Sequence, residues 1–361
     1  MGESPRRATL PESPAAVAGP SVRDDALTFR VADPDRVLAG VRLVQEARIP
    51  AGQLDFSRAA GGWELTVARP PVLRMEYLLA LRYADGGAKV VTDPANPLQA
   101  PGAFGPRSVL EFPGYAPPAW LSAPAAGGGT VTFELPVAEE SLPVRVWAPD
   151  GTADADRLPL LVVHDGPEYD SLAGITRYLA AGIAGQWLPP LRAALLSPGP
   201  RNSWYSANAR YARALCQAVL PALTGRFAAG PRIGMGTSLG ALAMLHAYCR
   251  HPDSFDALFL QSGSFFVPRL DSQERRFPCY RRIIGFTADA HGGGLPARAV
   301  PVVLTCGAIE ENVANNRLMA ATLAARDYPA SLHEVPDMHN YTAWRDAFDP
   351  YLTGLLQRAV A

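Results

Sequence analysis

A serine between two glycines, directly after apolar residues and directly before a helix-forming stretch, constrains this chain more than any other feature. Ser238 is the centre of the G-T-S-L-G run at residues 236–240, which follows the apolar Ile233 and precedes the helix-forming residues 241–248. A strand, a tight turn and a helix in this order are typical of a nucleophile elbow, where small flanking residues leave room for substrate. Because the chain holds 32 glycines, a chance match is the alternative. We predict that Ser238 is a nucleophile on such a turn.

The same turn offers a means of stabilising negative charge. A helix that begins directly after the serine presents backbone N–H groups at its positive end. Leu239 is the first residue of that helix, so its N–H is a candidate donor to the oxyanion of a tetrahedral intermediate. The run therefore predicts both a nucleophile and one half of an oxyanion hole.

Composition excludes several classes of function. The 361 residues are 48% apolar and carry a net charge of −1, so no basic field attracts nucleic acid or an anionic membrane. No window of about 18 apolar residues predicts a membrane span. Residues 1–22 lack the apolar stretch of a secretory signal, so we expect a cytoplasmic protein. No metal or cofactor is expected, because the four cysteines lie far apart without a C-x-x-C pair: Cys216, Cys249, Cys279 and Cys306.

The length favours two domains, and the hydrophobic pattern changes where they should meet. Residues 1–22 are rich in proline and alanine and are predicted to be a disordered tail. Short alternating runs separated by turn formers over residues 23–112 predict a small antiparallel β-sandwich. Residues 113–129, with their prolines and a glycine triplet, are interpreted as a linker.

Residues 130–361 show the pattern of an α/β domain. Two leading strands are followed by continuous apolar runs that alternate with helical segments, as in a mostly parallel sheet buried on both faces. The predicted strands cover residues 130–135, 142–147, 158–163, 194–196, 232–235, 257–260, 300–305 and 331–335. We predict an α/β-hydrolase fold for this domain.

A serine nucleophile needs a base, which in this fold follows it along the chain. His339 lies beyond the last predicted strand, at the carboxyl edge where open sheets build their sites, and is the preferred base. His333 lies within that strand and is interpreted as a structural histidine. His291 opens an H-G-G-G run similar to an oxyanion loop of lipases, but it follows the nucleophile here, so a surface loop is preferred.

The acid that orients the base should come from another strand end. Glu310 and Glu311 follow the predicted strand 300–305, and Glu310 is preferred. Asp337 is an alternative, although it is only two residues from His339 and would have to fold back sharply. Two solvated loop acids are the structural alternative. The carboxylate would hold the imidazole tautomer without taking the proton itself.

Several segments together resemble the enterochelin esterase branch of the esterase D-like α/β hydrolases. They are His164-Asp165-Gly166, residues 201–208, the 236–240 run, His251-Pro252, residues 261–265, Cys306-Gly307 with Glu310, and His339 followed by Trp344-Arg345. The resemblance implies that the β-sandwich is immunoglobulin-like and lies beside the active site, and it implies a second oxyanion donor at Gly166 or Glu168. It also places the expected substrate contacts at Arg201, Trp204, Tyr205, Asn208, Phe265 and Trp344.

Departures from the family pattern bear on substrate. Trp204 stands where the siderophore esterases typically have a glutamate, which puts specificity for a trilactone siderophore in doubt. Five arginines lie between residues 269 and 282, where a lid that clamps an anion and a solvated basic face are the alternatives.

These observations favour a serine esterase that acts on a small-molecule ester through an acyl-enzyme. An acyltransferase would use the same residues with another acceptor in place of water. A binding protein on a retired hydrolase scaffold is the alternative from another class. A homodimer is left open.

Overall fold

The computed structural model describes residues 19–47, 49–124, 127–137 and 140–360. Most of the predicted tail, residues 1–18, therefore lies outside the described residues. The last two residues assigned to it, Ser21–Val22, form a short strand that pairs with residues 27 and 28.

The N-terminal domain consists of two antiparallel sheets packed face to face. One sheet has the strand order β1-β2-β5-β4, and the other has β3-β6-β9-β8 with β7 paired to β6. Alternating apolar side chains from both sheets bury a common core that includes Phe29, Leu43 and Tyr77. The strands are β1 (Ser21–Val22), β2 (Ala26–Ala32), β3 (Leu38–Gln45), β4 (Ser57–Ala59), β5 (Gly62–Ala68), β6 (Arg74–Tyr83), β7 (Ala88–Val91), β8 (Gln99–Ala100) and β9 (Arg107–Glu111).

The C-terminal domain is built on an eight-stranded sheet in the order β10-β11-β13-β12-β14-β15-β16-β17. The leading hairpin is antiparallel, and all pairings from β13 to β17 are parallel. The strands are β10 (Gly128–Val137), β11 (Glu140–Pro149), β12 (Leu158–Val163), β13 (Arg192–Leu196), β14 (Ala229–Thr237), β15 (Ala257–Gln261), β16 (Val302–Gly307) and β17 (Ala330–Val335). This is the predicted α/β-hydrolase fold preceded by a β-sandwich.

Helices cover both faces of the large sheet and bury one apolar cluster on each side. They are α1 (Gly166–Ala173), α2 (Ile175–Ala184), α3 (Arg201–Tyr205), α4 (Ala209–Ala214), α5 (Leu220–Arg226), α6 (Leu239–Arg250), α7 (Tyr280–Asp289), α8 (Val313–Ala324), α9 (Tyr341–Asp346) and α10 (Thr353–Val360). Within the described segments, no helix is long and apolar enough to cross a membrane.

The segment interpreted as a linker is partly anchored. Trp120, in the short helical turn Ala119–Ser122, is 5% exposed and packs against the rings of Tyr178 and Phe348. Its ring centroid lies 5.5 Å from that of Tyr178. The proline and glycine content predicted the irregular backbone, but one buried tryptophan fixes this segment to the C-terminal domain.

Candidate active site

Ser238 lies in the sharp turn between β14 and α6, with φ of 55° and ψ of −122°. A non-glycine residue with such a backbone is strained, and strain of this kind is a property of nucleophile elbows. The flanking glycines explain how the turn closes: a Cβ on Gly236 would lie 2.5 Å from backbone atoms of Gly240. The sequence therefore folds into the tight turn because small residues occupy both flanks.

The hydroxyl of Ser238 is held by a second serine. Its Oγ lies 3.2 Å from Ser264 Oγ, and the Ser264 N–H donates to the Ser238 carbonyl at 3.1 Å. The contact with Ser264 Oγ is the hydrogen bond that the Ser238 hydroxyl makes among the described residues. Leu239 is the first residue of α6, where a backbone N–H has no acceptor within the helix.

His339 and Glu310 form a hydrogen-bonded pair at the carboxyl edge of the sheet. The His339 Nδ1 atom lies 2.8 Å from Glu310 Oε2. The other carboxylate oxygen, Oε1, accepts from Ser262 Oγ and from the Gly307 N–H, each at 2.7 Å. Trp344 Nε1 donates in turn to Ser262 Oγ at 2.9 Å, so a buried network fixes the orientation of the carboxylate.

The environment of His339 favours its protonated form. Burial lowers the pKa of the imidazole, but the nearby Glu310 carboxylate outweighs burial by charge and by its hydrogen bond, so the pKa is raised above its ordinary value. The side chain is 31% exposed, whereas that of Glu310 is 1% exposed. A half-buried histidine oriented by a buried carboxylate is a suitable general base and acid.

The structure separates Glu310 from the two alternative acids. Glu311 is exposed and accepts from Gln273 at 3.4 Å. Asp337 accepts from the Met338 N–H at 2.7 Å and from Asn340 Nδ2 at 3.1 Å. Of the three carboxylates, Glu310 is the one that bonds to His339.

The other candidate histidines have structural surroundings. His333 lies on β17 and stacks on Tyr351 with centroids 4.1 Å apart. His291 bonds to Thr322 Oγ1 at 2.6 Å within a helical segment that continues α7, so it is not in the surface loop preferred from sequence. Neither lines the cavities beside Ser238.

The loop after β12 lies beside Ser238. Asp165 accepts two hydrogen bonds from Arg201, at 2.8 and 2.9 Å, and Gly166 begins α1 directly after it. Glu168 in the first turn of α1 lines a cavity with Ser238, and its buried Oε2 atom has no hydrogen-bond partner in the described part of the chain. This loop holds the two candidates for the second oxyanion donor, Gly166 and Glu168.

Two cavities meet at Ser238 and His339. One has a volume of about 640 Å³ and the other about 380 Å³. Leu239, Ser264, Phe266 and Phe277 line the larger one together with sandwich residues 45–47, 49, 51 and 54. Arg201, Tyr341 and Trp344 line the smaller one, opposite sandwich residues 101–104. The N-terminal domain thus forms one wall of each cavity.

Four of the six residues expected to contact substrate have other positions. Trp204 is buried and stacks on Tyr211, Tyr205 is fully buried under the loop after β12, and Phe265 is fully buried in the core. Asn208 caps α4 by accepting from two backbone N–H groups. These four line neither of the two cavities, and their contact with substrate stays a prediction. Arg201 and Trp344 do line the smaller cavity.

The arginine-rich segment 269–282 is a solvated face on the outside of the larger cavity. Its five arginines are exposed, and the residues that it contributes to the cavity wall are Glu274 and Phe277. Arg282 bonds to the carbonyls of Ser203 and Ser206, so it fixes the segment to the α3 region. The anion-clamping lid is therefore not what the structure places here.

Sequence reasoning named residues 261–265 without a role for Ser262 or Ser264, and it missed the sandwich residue Glu46. Ser262 and Ser264 flank a glycine after β15, and their position at a strand end was the available signal. Glu46 lines both cavities, and burial raises its pKa above the ordinary value although the charges of His339 and Arg107 oppose this. No periodicity or motif in the sequence marks Glu46. Among the described residues, no group of three or more His, Cys, Asp or Glu side chains is placed to hold a metal ion.

The fold and the site together define an esterase of the α/β-hydrolase class. The Esterase family model matches residues 136–355, well over half of the chain, and the chain belongs to that family. A comparison with curated protein sequences finds no match.

Among solved structures, the chain resembles enterochelin esterases over nearly its whole length. It superimposes on enterochelin esterase from Shigella flexneri with a TM-score of 0.75 at 22% identity, covering 96% of this chain and 97% of the other. Ferric enterobactin esterase from Salmonella typhimurium gives 0.75 at 21% identity, with 95% and 97% covered. A ferulic acid esterase gives 0.52 at 14% identity over 65% of this chain and 98% of its own. The chain shares the fold of these proteins.

Proposed function

We propose that this esterase cleaves its ester through an acyl-enzyme on Ser238. The single observation that carries the proposal is the His339–Glu310 hydrogen bond of 2.8 Å at the cavities that Ser238 lines. Glu310 holds the imidazole with Nδ1 toward the carboxylate, which leaves Nε2 as the atom that takes and returns the proton. The proposed proton transfer requires a hydrogen bond from the Ser238 hydroxyl to Nε2, and Ser238 and His339 line the same two cavities.

In the proposed reaction, Ser238 Oγ attacks the ester carbonyl while His339 takes its proton. The tetrahedral oxyanion accepts hydrogen bonds from the Leu239 N–H and from the N–H of Gly166. His339 then protonates the leaving alcohol, the C–O bond breaks and the acyl group remains on Ser238. Water, activated by His339, releases the acid and restores the hydroxyl.

The cavities support a substrate of small-molecule size with groups on both sides of the ester. Their volumes lie within the range of pockets that bind such ligands. A donor group on the substrate, such as a hydroxyl or an amide N–H, would satisfy the unpartnered Glu168 Oε2 atom. Two of the similar structures are an enterochelin esterase and a ferric enterobactin esterase, so a siderophore-type ester is the first candidate to test.

The test is a panel of aryl, acyl and macrolactone esters assayed with the wild-type protein and with Ser238→Ala. We expect turnover of at least one class and its loss in the variant by about 10⁴-fold or more. Ser171→Ala is a matched control, since Ser171 is exposed on α1 and its hydroxyl bonds to the Pro167 carbonyl. Equal turnover by wild type and Ser238→Ala would contradict the proposal.

A further inference from the structure

The base reaches the active site on a loop that is packed into the other domain. We define the histidine loop as residues 336–340, between the end of β17 and the start of α9. Met338, next to the base, is 1% exposed and belongs to the buried apolar cluster of the sandwich, with Met75 and Phe112. Ile309, next to Glu310, packs against the same cluster. Both members of the His339–Glu310 pair thus have a neighbour anchored in the N-terminal domain.

A backbone hydrogen bond ties the histidine loop to the sandwich as well. The Leu73 N–H donates to the Pro336 carbonyl at 2.8 Å. The Leu73 carbonyl accepts from the Phe112 N–H at 2.9 Å, so the same residue is tied to the end of β9. The histidine loop is therefore hydrogen-bonded to the backbone of the N-terminal domain beside the end of β9.

Arg74 connects the two domains through side chains. Its guanidinium is 3% exposed and donates to Glu76 Oε1 at 2.8 Å and to Asn340 Oδ1 at 3.3 Å. Asp337 Oδ2 lies 3.9 Å from Arg74 Nη1. Asp337 and Asn340 bracket His339 in the chain, so one arginine contacts the loop on both sides of the base.

The groups that Arg74 contacts are themselves tied to the backbone of the loop. Asn340 Oδ1 also accepts from the Ala343 N–H at 2.8 Å and so caps α9, and Asp337 Oδ1 accepts from the Met338 N–H. Burial raises the pKa of Asp337 to about 7, with the charge of Arg74 opposing that shift. Moving the guanidinium would therefore disturb the turn on which His339 is placed.

We propose that Arg74 is a positioning residue for His339, and that through it the N-terminal sandwich sets the geometry of the catalytic base. The inference rests on the proposed function. A base displaced by about 1 Å costs up to about 10²-fold in rate, because proton transfer requires close hydrogen-bond geometry. Arg74 itself lines neither cavity, although Glu76 and Asn340 line the smaller one, so the larger effect is expected on kcat rather than on KM.

Arg74→Lys is the decisive variant. Lysine keeps the positive charge facing Glu76 and Asp337, but a single ammonium does not reproduce the guanidinium fork that also reaches Asn340. We expect kcat on 4-nitrophenyl acetate to fall by about ten- to a hundred-fold, with KM changed by less than about twofold. Amide hydrogen exchange across the histidine loop should become faster while the rest of the catalytic domain keeps its protection.

Arg192→Met is the matched control, because Arg192 is a buried arginine that donates to backbone carbonyls at residues 156 and 228, away from the site. Its kcat should stay at the wild-type value at a temperature where both variants are folded. Folded Arg74→Lys with wild-type kcat and unchanged exchange in the loop would overturn the inference, as would an equal loss in Arg192→Met. Turnover that survives Ser238→Ala would instead overturn the proposed function, and the exchange measurement still tests the loop in that case.

Discussion

The proposed nucleophile and the proposed base are held in different ways. Ser238 is fixed by its own strand and helix: the strained turn closes because two glycines flank it, and its contacts come from within the catalytic domain. His339 is on a loop whose side chains pack into the sandwich, through Met338 and the contacts of Arg74. The elbow is a local device, whereas the histidine loop depends on a second domain.

This difference explains why the N-terminal domain is part of the site. A lone catalytic domain would leave Met338 and Ile309 exposed beside the two residues that must stay aligned. Since catalytic efficiency is sensitive to displacements of about 1 Å, the sandwich contributes to rate without contributing a reacting group.

The largest effect is expected at the base. His339→Ala should lower kcat/KM by about 10⁴-fold or more, because Ser238 would lose its proton acceptor. His333→Ala is the control, because His333 lies on β17, and its kcat/KM should stay close to the wild-type value. Steady-state kinetics on one soluble ester measure both, and a high residual rate in His339→Ala would assign the base elsewhere.

The second largest loss of activity is expected at Glu310, the proposed acid. Glu310→Gln keeps the size of the side chain but removes the charge that holds the imidazole, and we expect a loss of about 10³- to 10⁴-fold in kcat. Glu311→Gln is the matched control, since Glu311 is exposed and bonds to Gln273. Equal kcat values in Glu310→Gln and Glu311→Gln would contradict the proposal that Glu310 orients His339.

The pH profile tests the electrostatics of the pair. His339 must be neutral to accept a proton, and Glu310 raises its pKa above the ordinary value, so kcat/KM should rise with pH through that raised pKa. In Glu310→Gln the rising limb should move to lower pH, because the charge that favours the protonated imidazole is gone. A limb that stays in place would show that Glu310 does not set this pKa.

Met338→Ala addresses the anchoring of the loop. Removal of a buried methionine side chain should lower the free energy of unfolding by about 2–5 kcal/mol, and kcat should fall as well because the loop loses its anchor. Met319→Ala is the control, since Met319 is fully buried in the catalytic domain. Met319→Ala should lower the free energy of unfolding, measured with denaturant, by a similar amount and leave kcat at the wild-type value. Equal kcat values in Met338→Ala and Met319→Ala would contradict the proposed difference between the elbow and the histidine loop.

The smallest effect is expected at Asn208, which caps a helix and lines neither cavity. Asn208→Ala should lower the free energy of unfolding by about 1 kcal/mol, because α4 loses its side-chain cap. KM should not change on any ester of the panel. A clear rise in KM would instead indicate that Asn208 contacts the substrate.

Local sequence predicts the elbow well and the rest of the site less well. The strand, glycines and helix around Ser238 are contiguous, so their pattern identifies the turn directly. The order of strand ends places Glu310 and His339 at one edge, because carboxyl ends of parallel strands meet there. The packing of Met338 into a core more than two hundred residues earlier in the chain leaves no local signal.

The residues expected to contact substrate show what a resemblance between motifs does not predict. Trp204, Tyr205 and Phe265 are aromatic residues near the site in sequence, yet the structure buries them in the core, where large aromatic side chains contribute most to packing. Sandwich residues 45–47, 49, 51, 54 and 101–104 line the cavities instead. Which surface of one domain faces another is decided by tertiary packing, which alternation of apolar residues does not encode.

The most direct measurement is the rate at which a fluorophosphonate probe phosphonylates Ser238, mapped by peptide mass spectrometry in the wild type and in His339→Ala. The account predicts one adduct per chain on Ser238, formed about 10³-fold or more slowly in the variant, because the serine then lacks its base. An adduct on another residue, or equal rates in the two proteins, would contradict it.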